Sequence, residues 1–230
     1  MLRFFYSMSK RNLVKVLDPT EWYNNISKQY KKYHRHLNSF DHGLWQKFLP
    51  RDLEWKTIVD LWAGDGRIFW YFKNIFAKLH WFANNNWQND SQTWMTKFIA
   101  CDSSEKLLEL HPEWQIVEKK IVDLEEALPF DDKIADIITT FFVIEHIKNL
   151  GDLFIEIYRI LQDDWIFLIW NYIQHRSFVF WNWKDKFKIK RYSHTSNAIH
   201  KCLEAAFFNV FVEKIYEKNI HIWDIYICRK

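Results

Sequence analysis

The sequence predicts an α/β fold, doubly wound, with a seven-stranded sheet that is mostly parallel and has an antiparallel C-terminal strand. Three observations support this prediction. A buried strand at 57–61 runs into a turn with two glycines and then into an apolar helical stretch. Further apolar strands alternate with helical segments downstream. Near the C-terminus, two runs of alternating apolar and polar residues predict a β-hairpin.

The composition is that of one globular unit. At 230 residues and a net charge of +3, the chain suits an N-terminal helical extension (1–52) and a main domain (53–230). The charge is too small to require a nucleic-acid or membrane partner. Cys101, Cys202 and Cys228 are isolated and odd in number, which favours a reducing cytoplasm. We recognise no signal peptide and no apolar window of about 18 residues, and predict no membrane span.

The extension contains the first predicted helix. It begins at Asp18, an N-cap carboxylate, with Pro19 at the first helical position, and it continues to about Leu37. Three histidines follow at or beyond its end: His34, His36 and His42. A metal site needs ligands that converge in space, so we interpret these histidines as a solvated helix end and predict no metal.

The main domain continues in a regular order after the first strand and the helix at 68–79. Polar residues at 81–96 predict a loop or hairpin insertion. Strands are predicted at 97–101, 115–118, 134–142, 166–169, 210–215 and 220–228, and helices at 104–110, 150–161 and 196–206. Residues 171–195 follow the predicted strand at 166–169, and this position makes them a candidate substrate-lid insertion.

The glycine turn has the chemistry of a small-molecule cradle. Gly64 and Gly66 let the backbone approach a ligand closely, and the first free N–H groups of the next helix point into the gap. Asp60 places a carboxylate at the end of the strand, just before the turn. A G-x-G turn alone occurs in many nucleotide-binding folds, so the downstream motifs decide its meaning.

This stretch, TIVDLWAGDGR at 57–67, resembles motif I of the class I S-adenosylmethionine-dependent methyltransferases, roughly D-h-G-x-G-x-G. Trp62 departs from the pattern, since it stands where the family has its first glycine. The resemblance implies a Rossmann-like fold, S-adenosylmethionine as cofactor, and methyl transfer as the reaction, in the small-molecule, type 11-like branch. At this turn it assigns cofactor binding to Asp60, Leu61, Trp62, Ala63, Gly64 and Gly66.

Two further acids extend the resemblance. Asp102 ends the second strand and is followed by Ser103, where the family binds the ribose hydroxyls of the cofactor. The alternative for Asp102 is an N-cap for the next helix. Asp123 and Leu124 precede a Leu-Pro-Phe run at 128–130, and the resemblance assigns them to the adenine. A solvated loop acid is the alternative for Asp123.

The end of the fourth strand is the third part of the pattern. Phe142 completes the cofactor-binding residues that the resemblance implies. His146 lies at the carboxyl edge of the sheet, where open α/β sheets bind ligands. It either acts as a general base or orients a substrate, or it packs against the next helix, and both readings stay open. A second signature, E-x-x-R-x-L at 156–161, precedes a turn in which Trp165 stands at a glycine position.

The tryptophans form a separate anomaly. The chain has 14 Trp and only 4 Gly, whereas an average content of about 7% predicts roughly 16 glycines. Trp55, Trp87, Trp114 and Trp165 stand in polar turn contexts where glycine is expected. Our hypothesis is that many or all of the tryptophans are glycines in the native protein, because its source reads UGA as glycine. The alternative is an aromatic-rich core.

The predicted function is S-adenosylmethionine-dependent methyl transfer to a small-molecule acceptor, since the chain has no appended RNA-binding module. One alternative is a non-catalytic binding or scaffold protein with the same fold, which a genuine Trp62 would favour. Another is an RNA or protein methyltransferase that uses the basic, aromatic-rich stretch 184–191. A solvated hairpin is the simpler interpretation of that stretch.

Overall fold

The computed structural model describes residues 14–30, 47–50, 53, 55–70, 72, 96–173, 180–181 and 186–230. The insertion predicted at 81–96 lies outside these ranges except for Thr96. The three histidines interpreted as a solvated helix end, Trp87 and most of the helix predicted at 68–79 also lie outside them. The division predicted between residues 52 and 53 stays a prediction.

Seven strands form the main sheet within the described residues. In chain order the strands of the described ranges are β1 (Lys15–Leu17), β2 (Thr57–Leu61), β3 (Lys97–Asp102), β4 (Val117–Ile121), β5 (Ala135–Phe141), β6 (Leu161–Tyr172), β7 (Phe180–Trp181), β8 (Lys186–Ile189), β9 (Asn209–Glu217) and β10 (Ile220–Arg229). The sheet order is β4-β3-β2-β5-β6-β10-β9. β10 runs in the direction opposite to the other six strands of this sheet. The predicted fold class is therefore confirmed.

Four α-helices have complete bounds in the described residues: α1 (Pro19–Ile26), α2 (Glu105–Leu108), α3 (Leu150–Ile160) and α4 (Ser196–Ala205). The start of α1 is as predicted, because the Asp18 side chain accepts a hydrogen bond from the Thr20 N–H at 3.0 Å. The N-cap of α2 is Ser104, whose hydroxyl accepts from the Leu107 N–H at 3.3 Å. The alternative role of Asp102 as the cap of this helix is therefore wrong.

Two strands differ most from their predicted bounds. The third strand of the domain is Val117–Ile121 rather than 115–118, because Val117 donates back to the Trp114 carbonyl in a turn. β6 begins at Leu161, inside the stretch predicted as a turn. Its register on β5 shifts between Ala135 and Ile137, and Asp164 has φ +64°. The extra residues are thus accommodated as a bulge within the strand.

Apolar side chains cover both faces of the sheet. Neighbouring residues of β2 point to opposite faces, so Ile58 and Val59 enter different cores. On the face of Val59, the sheet packs against α3 and α4, which contribute buried residues such as Phe154 and Leu203. On the other face, Phe69 and further side chains following the glycine turn pack against the sheet. This double coverage leaves the carboxyl edge of the parallel strands as the open end.

A second, small sheet lies beside the main one. β1 pairs in parallel with β8, and β7 pairs with β8 in the antiparallel sense, which agrees with the hairpin predicted at 184–191. Trp22 of α1 packs against Phe187 of β8, with ring centroids 6.2 Å apart. The N-terminal segment and the predicted lid region are therefore held together.

The E-x-x-R signature has a structural role. The Arg159 guanidinium donates to the carbonyls of Leu128 at 3.0 Å and Phe130 at 2.7 Å, and it pairs with Glu156 at 2.7 Å. Glu156 in turn accepts from the Leu128 N–H at 3.0 Å. The planar fork of arginine suits this set of acceptors, so α3 fixes the Leu-Pro-Phe run.

We predict that Arg159→Lys lowers the free energy of unfolding by about 1 to 3 kcal/mol, because lysine keeps the charge but cannot serve several fixed acceptors. Urea denaturation measures this change. Lys133→Ala, which removes an exposed ion pair with Asp163, is the control and should change stability much less. Equal losses in the two variants would contradict the proposed clamp.

Candidate functional site

Two buried carboxylates lie at the carboxyl ends of neighbouring parallel strands. Asp60 is in β2 and Asp102 ends β3, and the two side chains are 1% and 4% exposed. The strands pair in register through Asp60 and Ala100. The Ala63 N–H then donates to the Cys101 carbonyl at 2.7 Å, which carries the pairing into the turn. The sequence therefore brings both predicted acids to one edge of the sheet.

Asp102 ties the glycine turn to the start of α2. One of its oxygens accepts from the Gly64 N–H at 2.9 Å, and the other accepts from the Ser104 N–H at 2.7 Å. The neighbouring Ser103 accepts from the Thr20 hydroxyl at 2.7 Å, so α1 is attached to the same point. Each carboxylate oxygen can accept more than one hydrogen bond, and capacity remains for a ligand.

Asp60 has one satisfied oxygen. Its Oδ1 accepts from the Thr139 hydroxyl at 2.7 Å, whereas its buried Oδ2 has no hydrogen-bond partner among the described residues. Burial raises the pKa of Asp60 to about 8, and the nearby Asp102 charge adds to the rise. Burial likewise raises the pKa of Asp102 to about 7. A buried carboxyl oxygen without a partner is costly, which makes this place a candidate ligand site.

The turn itself needs glycine at both predicted positions. Gly64 and Gly66 have φ of +56° and +88°. A Cβ on Gly66 would lie 2.4 Å from Cδ of Pro112 and 3.0 Å from the His111 ring. Any other residue at this position would displace Pro112 or the turn.

Trp62 lies in the middle of the site. It has φ +69°, and its ring centroid is 4.8 Å from that of His146 and 5.8 Å from that of Tyr23. Its indole Nε1 is buried and has no hydrogen-bond partner among the described residues. The indole therefore fills the space between the glycine turn, α1 and the 3₁₀ helix Ile144–His146.

His146 is a buried, neutral imidazole with a defined tautomer. Its Nδ1 lies 3.2 Å from the Lys190 carbonyl, and its Nε2 lies 3.4 Å from the Tyr23 hydroxyl. A carbonyl only accepts, so Nδ1 carries the proton and Nε2 accepts from the tyrosine. Burial lowers the pKa of His146 to about 4, despite the bond to Lys190. The ring is packed and keeps an acceptor atom toward Tyr23, and the predicted catalytic or substrate-orienting role of His146 stays a prediction.

The remaining predicted residues are less central. Leu61 and Ala63 are buried in the two cores, on either side of Trp62. Phe142 has φ +59°, and its ring packs against Trp223 at 5.0 Å. Asp123 is exposed and accepts from the Glu125 N–H at 2.9 Å.

Leu124, the other predicted adenine contact, is buried in the core. The structure thus brings Asp60, Trp62, Gly64, Asp102 and His146 together, and it leaves Asp123 with local partners.

The sequence reasoning missed three polar groups of the site. Tyr23 and Tyr30 were predicted only as part of the helix that begins at Asp18. In the structure, Tyr23 contacts His146. The Tyr30 hydroxyl is 3.5 Å from the position that a Cβ of Gly64 would occupy. Thr139 holds Asp60. The sequence gives little signal for Thr139, because Asp136 and Thr140 are polar residues of the same predicted strand.

No group of three or more His, Cys, Asp or Glu residues is placed to hold a metal ion in the described ranges. None of the helices in this part of the chain is long and apolar enough to cross a membrane.

The raised pKa of Asp60 predicts a pH effect. The unfolded chain ionises this carboxyl near 3.8 and the folded protein near 8. The folded state therefore keeps the proton between these values and loses stability as the pH rises through them. Relative to the parent, Asp60→Asn should gain at least about 1.4 kcal/mol between pH 5 and pH 8, the equivalent of one pKa unit.

Chemical denaturation at both pH values measures this gain. Asp163→Asn is the control, because the Asp163 side chain is exposed and Lys133 lowers the pKa of its carboxyl. It should show no relative change in this window. Parallel pH curves for the parent and Asp60→Asn would mean that Asp60 ionises normally.

The sequence of residues 85–169 matches the model of a family described as "Methyltransferase domain". The comparison with curated protein sequences finds no match. Among solved structures, a SAM-dependent methyltransferase from Aquifex aeolicus aligns with a TM-score of 0.63 and 16% identity, covering 90% of this chain and 98% of that one.

Two more solved structures share the fold. Phosphoethanolamine N-methyltransferase 2 of Haemonchus contortus, solved with S-adenosyl-L-methionine, aligns with a TM-score of 0.65 and 14% identity, covering 92% of this chain and 58% of that one. The [4+2]-cyclase SpnF aligns with a TM-score of 0.64 and 10% identity, covering 94% and 98%. The fold therefore carries more than one chemistry. Residues 85–169 thus match the methyltransferase domain family, and the chain has the fold of the class I S-adenosylmethionine-dependent methyltransferases, which confirms the resemblance seen in its motifs.

Proposed function

We propose that this protein transfers the methyl group of S-adenosylmethionine to a small-molecule acceptor. The observation that carries the proposal is the pair of buried acids at the ends of β2 and β3, with Asp102 bonded to the Gly64 N–H of the turn. Ligands of open α/β sheets bind at this edge. The family match of residues 85–169 supports the same assignment.

The two acids have complementary roles in this proposal. Asp102 accepts one backbone N–H on each oxygen, and its remaining lone pairs suit the two hydroxyls of a ribose. Asp60 has a buried carboxyl oxygen without a partner among the described residues, and the positively charged amino group of the methionine portion would favour the ionised form of this acid. Asp123, Leu124 and Phe142 remain the proposed adenine and rim contacts.

Position 62 is where the cofactor does not fit. The Trp62 indole occupies the space beside the glycine turn that the acids border. The proposed activity therefore requires a small residue at this position. When bound, the cofactor supplies an activated methyl group on a sulfonium, and the protein's task is to align an acceptor and exclude water.

Tyr23 and His146 are the proposed acceptor-side residues. Methylation of an N–H or O–H group releases a proton, and the unprotonated Nε2 of His146 faces the Tyr23 hydroxyl, which is positioned to relay it. The low pKa of His146 keeps this nitrogen free of a proton at neutral pH. The Arg191–Glu145 ion pair and the Lys190 carbonyl hold the predicted lid against this histidine.

One observation favours a second candidate function. With Trp62 in place, the chain keeps the methyltransferase fold but fills its own cradle with an indole. A non-catalytic protein that uses the fold as a binding or scaffold unit would have this arrangement. The residue at position 62 thus decides between the two functions.

We predict that S-adenosylhomocysteine binds Trp62→Gly and does not measurably bind the parent, because only the glycine variant has an open turn. Isothermal titration calorimetry measures both. Trp70→Gly, which removes an exposed indole beyond the turn, is the matched control and should behave like the parent. A folded Trp62→Gly protein that binds nothing would support the scaffold function instead.

A second prediction isolates the ribose acid. In the Trp62→Gly protein, Asp102→Asn should weaken S-adenosylhomocysteine about 10- to 100-fold, the range expected for lost hydrogen bonds to a charged group. Asp152→Asn, an exposed change in the first turn of α3, is the control. Unchanged affinity in a folded Asp102→Asn protein would rule out the role of Asp102.

A further inference from the structure

The backbone of the glycine turn follows a regular alternation. Positions 62, 64 and 66 all have positive φ, at +69°, +56° and +88°. Two of these three positions are Gly64 and Gly66, and the third is Trp62. A Cβ in this region collides with the backbone, so a bulky residue there is an outlier and glycine is the ordinary choice. The geometry of the turn is that of three glycines, not two.

Trp55 shows the same conflict in a second turn. It has φ +66° and its side chain is 49% exposed. Two phenylalanines, Phe142 and Phe207, also have positive φ, so this backbone conformation alone does not identify a misread residue. The tryptophans differ because they are in excess while glycine is scarce, at 14 against 4.

Three other tryptophans behave as ordinary core residues. Trp22, Trp170 and Trp223 are buried and do not have positive φ. Trp170, for example, stacks on Phe141 with ring centroids 5.6 Å apart. An aromatic-rich core therefore accounts for these positions, but it does not account for positions 55 and 62.

We propose that positions 55 and 62 carry glycine in the native protein, because a UGA codon that its source decodes as glycine has been translated as tryptophan. Glycine at position 62 removes the indole from between Tyr23 and His146 and opens the cradle. This inference rests on the proposed function and deepens it. The identity of residue 62 can nevertheless be measured without any ligand. Glycine at 62 together with no cofactor binding would remove the function and leave this inference standing.

Mass spectrometry of the protein purified from its own source provides the direct test. Trypsin cleavage after Arg51, Lys56 and Arg67 separates the two positions into the peptides 52–56 and 57–67. Each peptide should have the mass and fragment ions of glycine at the position in question. Tryptophan at either position would overturn the proposal.

A stability comparison tests the same inference on recombinant protein. Trp62→Gly and Trp62→Ala both remove the indole, but only glycine removes the Cβ at positive φ. The midpoint of thermal unfolding should be higher for the glycine variant by roughly 2 to 4 °C. At Trp70, which is helical and exposed, the order should reverse, because alanine is the better helix former. An alanine variant at 62 that is as stable as the glycine variant would overturn the geometric argument.

Discussion

The Asp102 carboxylate is the constraint on which the rest of the site depends. It receives the Gly64 N–H on one oxygen and the Ser104 N–H on the other, and both bonds are buried. The first bond fixes the turn after β2, and the second fixes the start of α2, so one side chain sets the distance between two neighbouring loops. Burial disfavours the charged form of Asp102 and of Asp60 and therefore raises the pKa of both carboxyls. A ligand that donates hydrogen bonds to these carboxyls would stabilise their charged form.

Around this constraint lie the two halves of the proposed methyl-transfer site, with the Trp62 indole between them. The acid side is preorganised by backbone bonds, and the acceptor side has a neutral His146 whose tautomer is set by the Lys190 carbonyl. Trp62 lies between the halves in a backbone conformation that suits glycine. The identity of residue 62 therefore decides whether the cofactor fits and which of the two proposed functions applies. Each of these three points can be measured separately.

Sequence periodicity was sufficient for the sheet, because strands such as Lys97–Asp102 contain continuous apolar runs and are buried on both faces. The hairpin turn at Lys218 and Asn219 was also predictable, and both residues have the positive φ that a tight hairpin requires. The bulge in β6 was not, because its residues read as a turn and only pairing with β5 keeps them in the strand. Among the site residues, the acids stood at strand ends and were predictable. Tyr23 and Thr139 were not, because their roles depend on contacts between distant segments.

A crystal structure of the Trp62→Gly protein with S-adenosylhomocysteine tests the central claim most directly. The account predicts a ligand beside the glycine turn, with its ribose hydroxyls within hydrogen-bond distance of Asp102 and its amino-acid portion toward Asp60, in the space that the indole of Trp62 fills. A ligand bound elsewhere, or one that leaves Asp102 without a ribose contact, would contradict it.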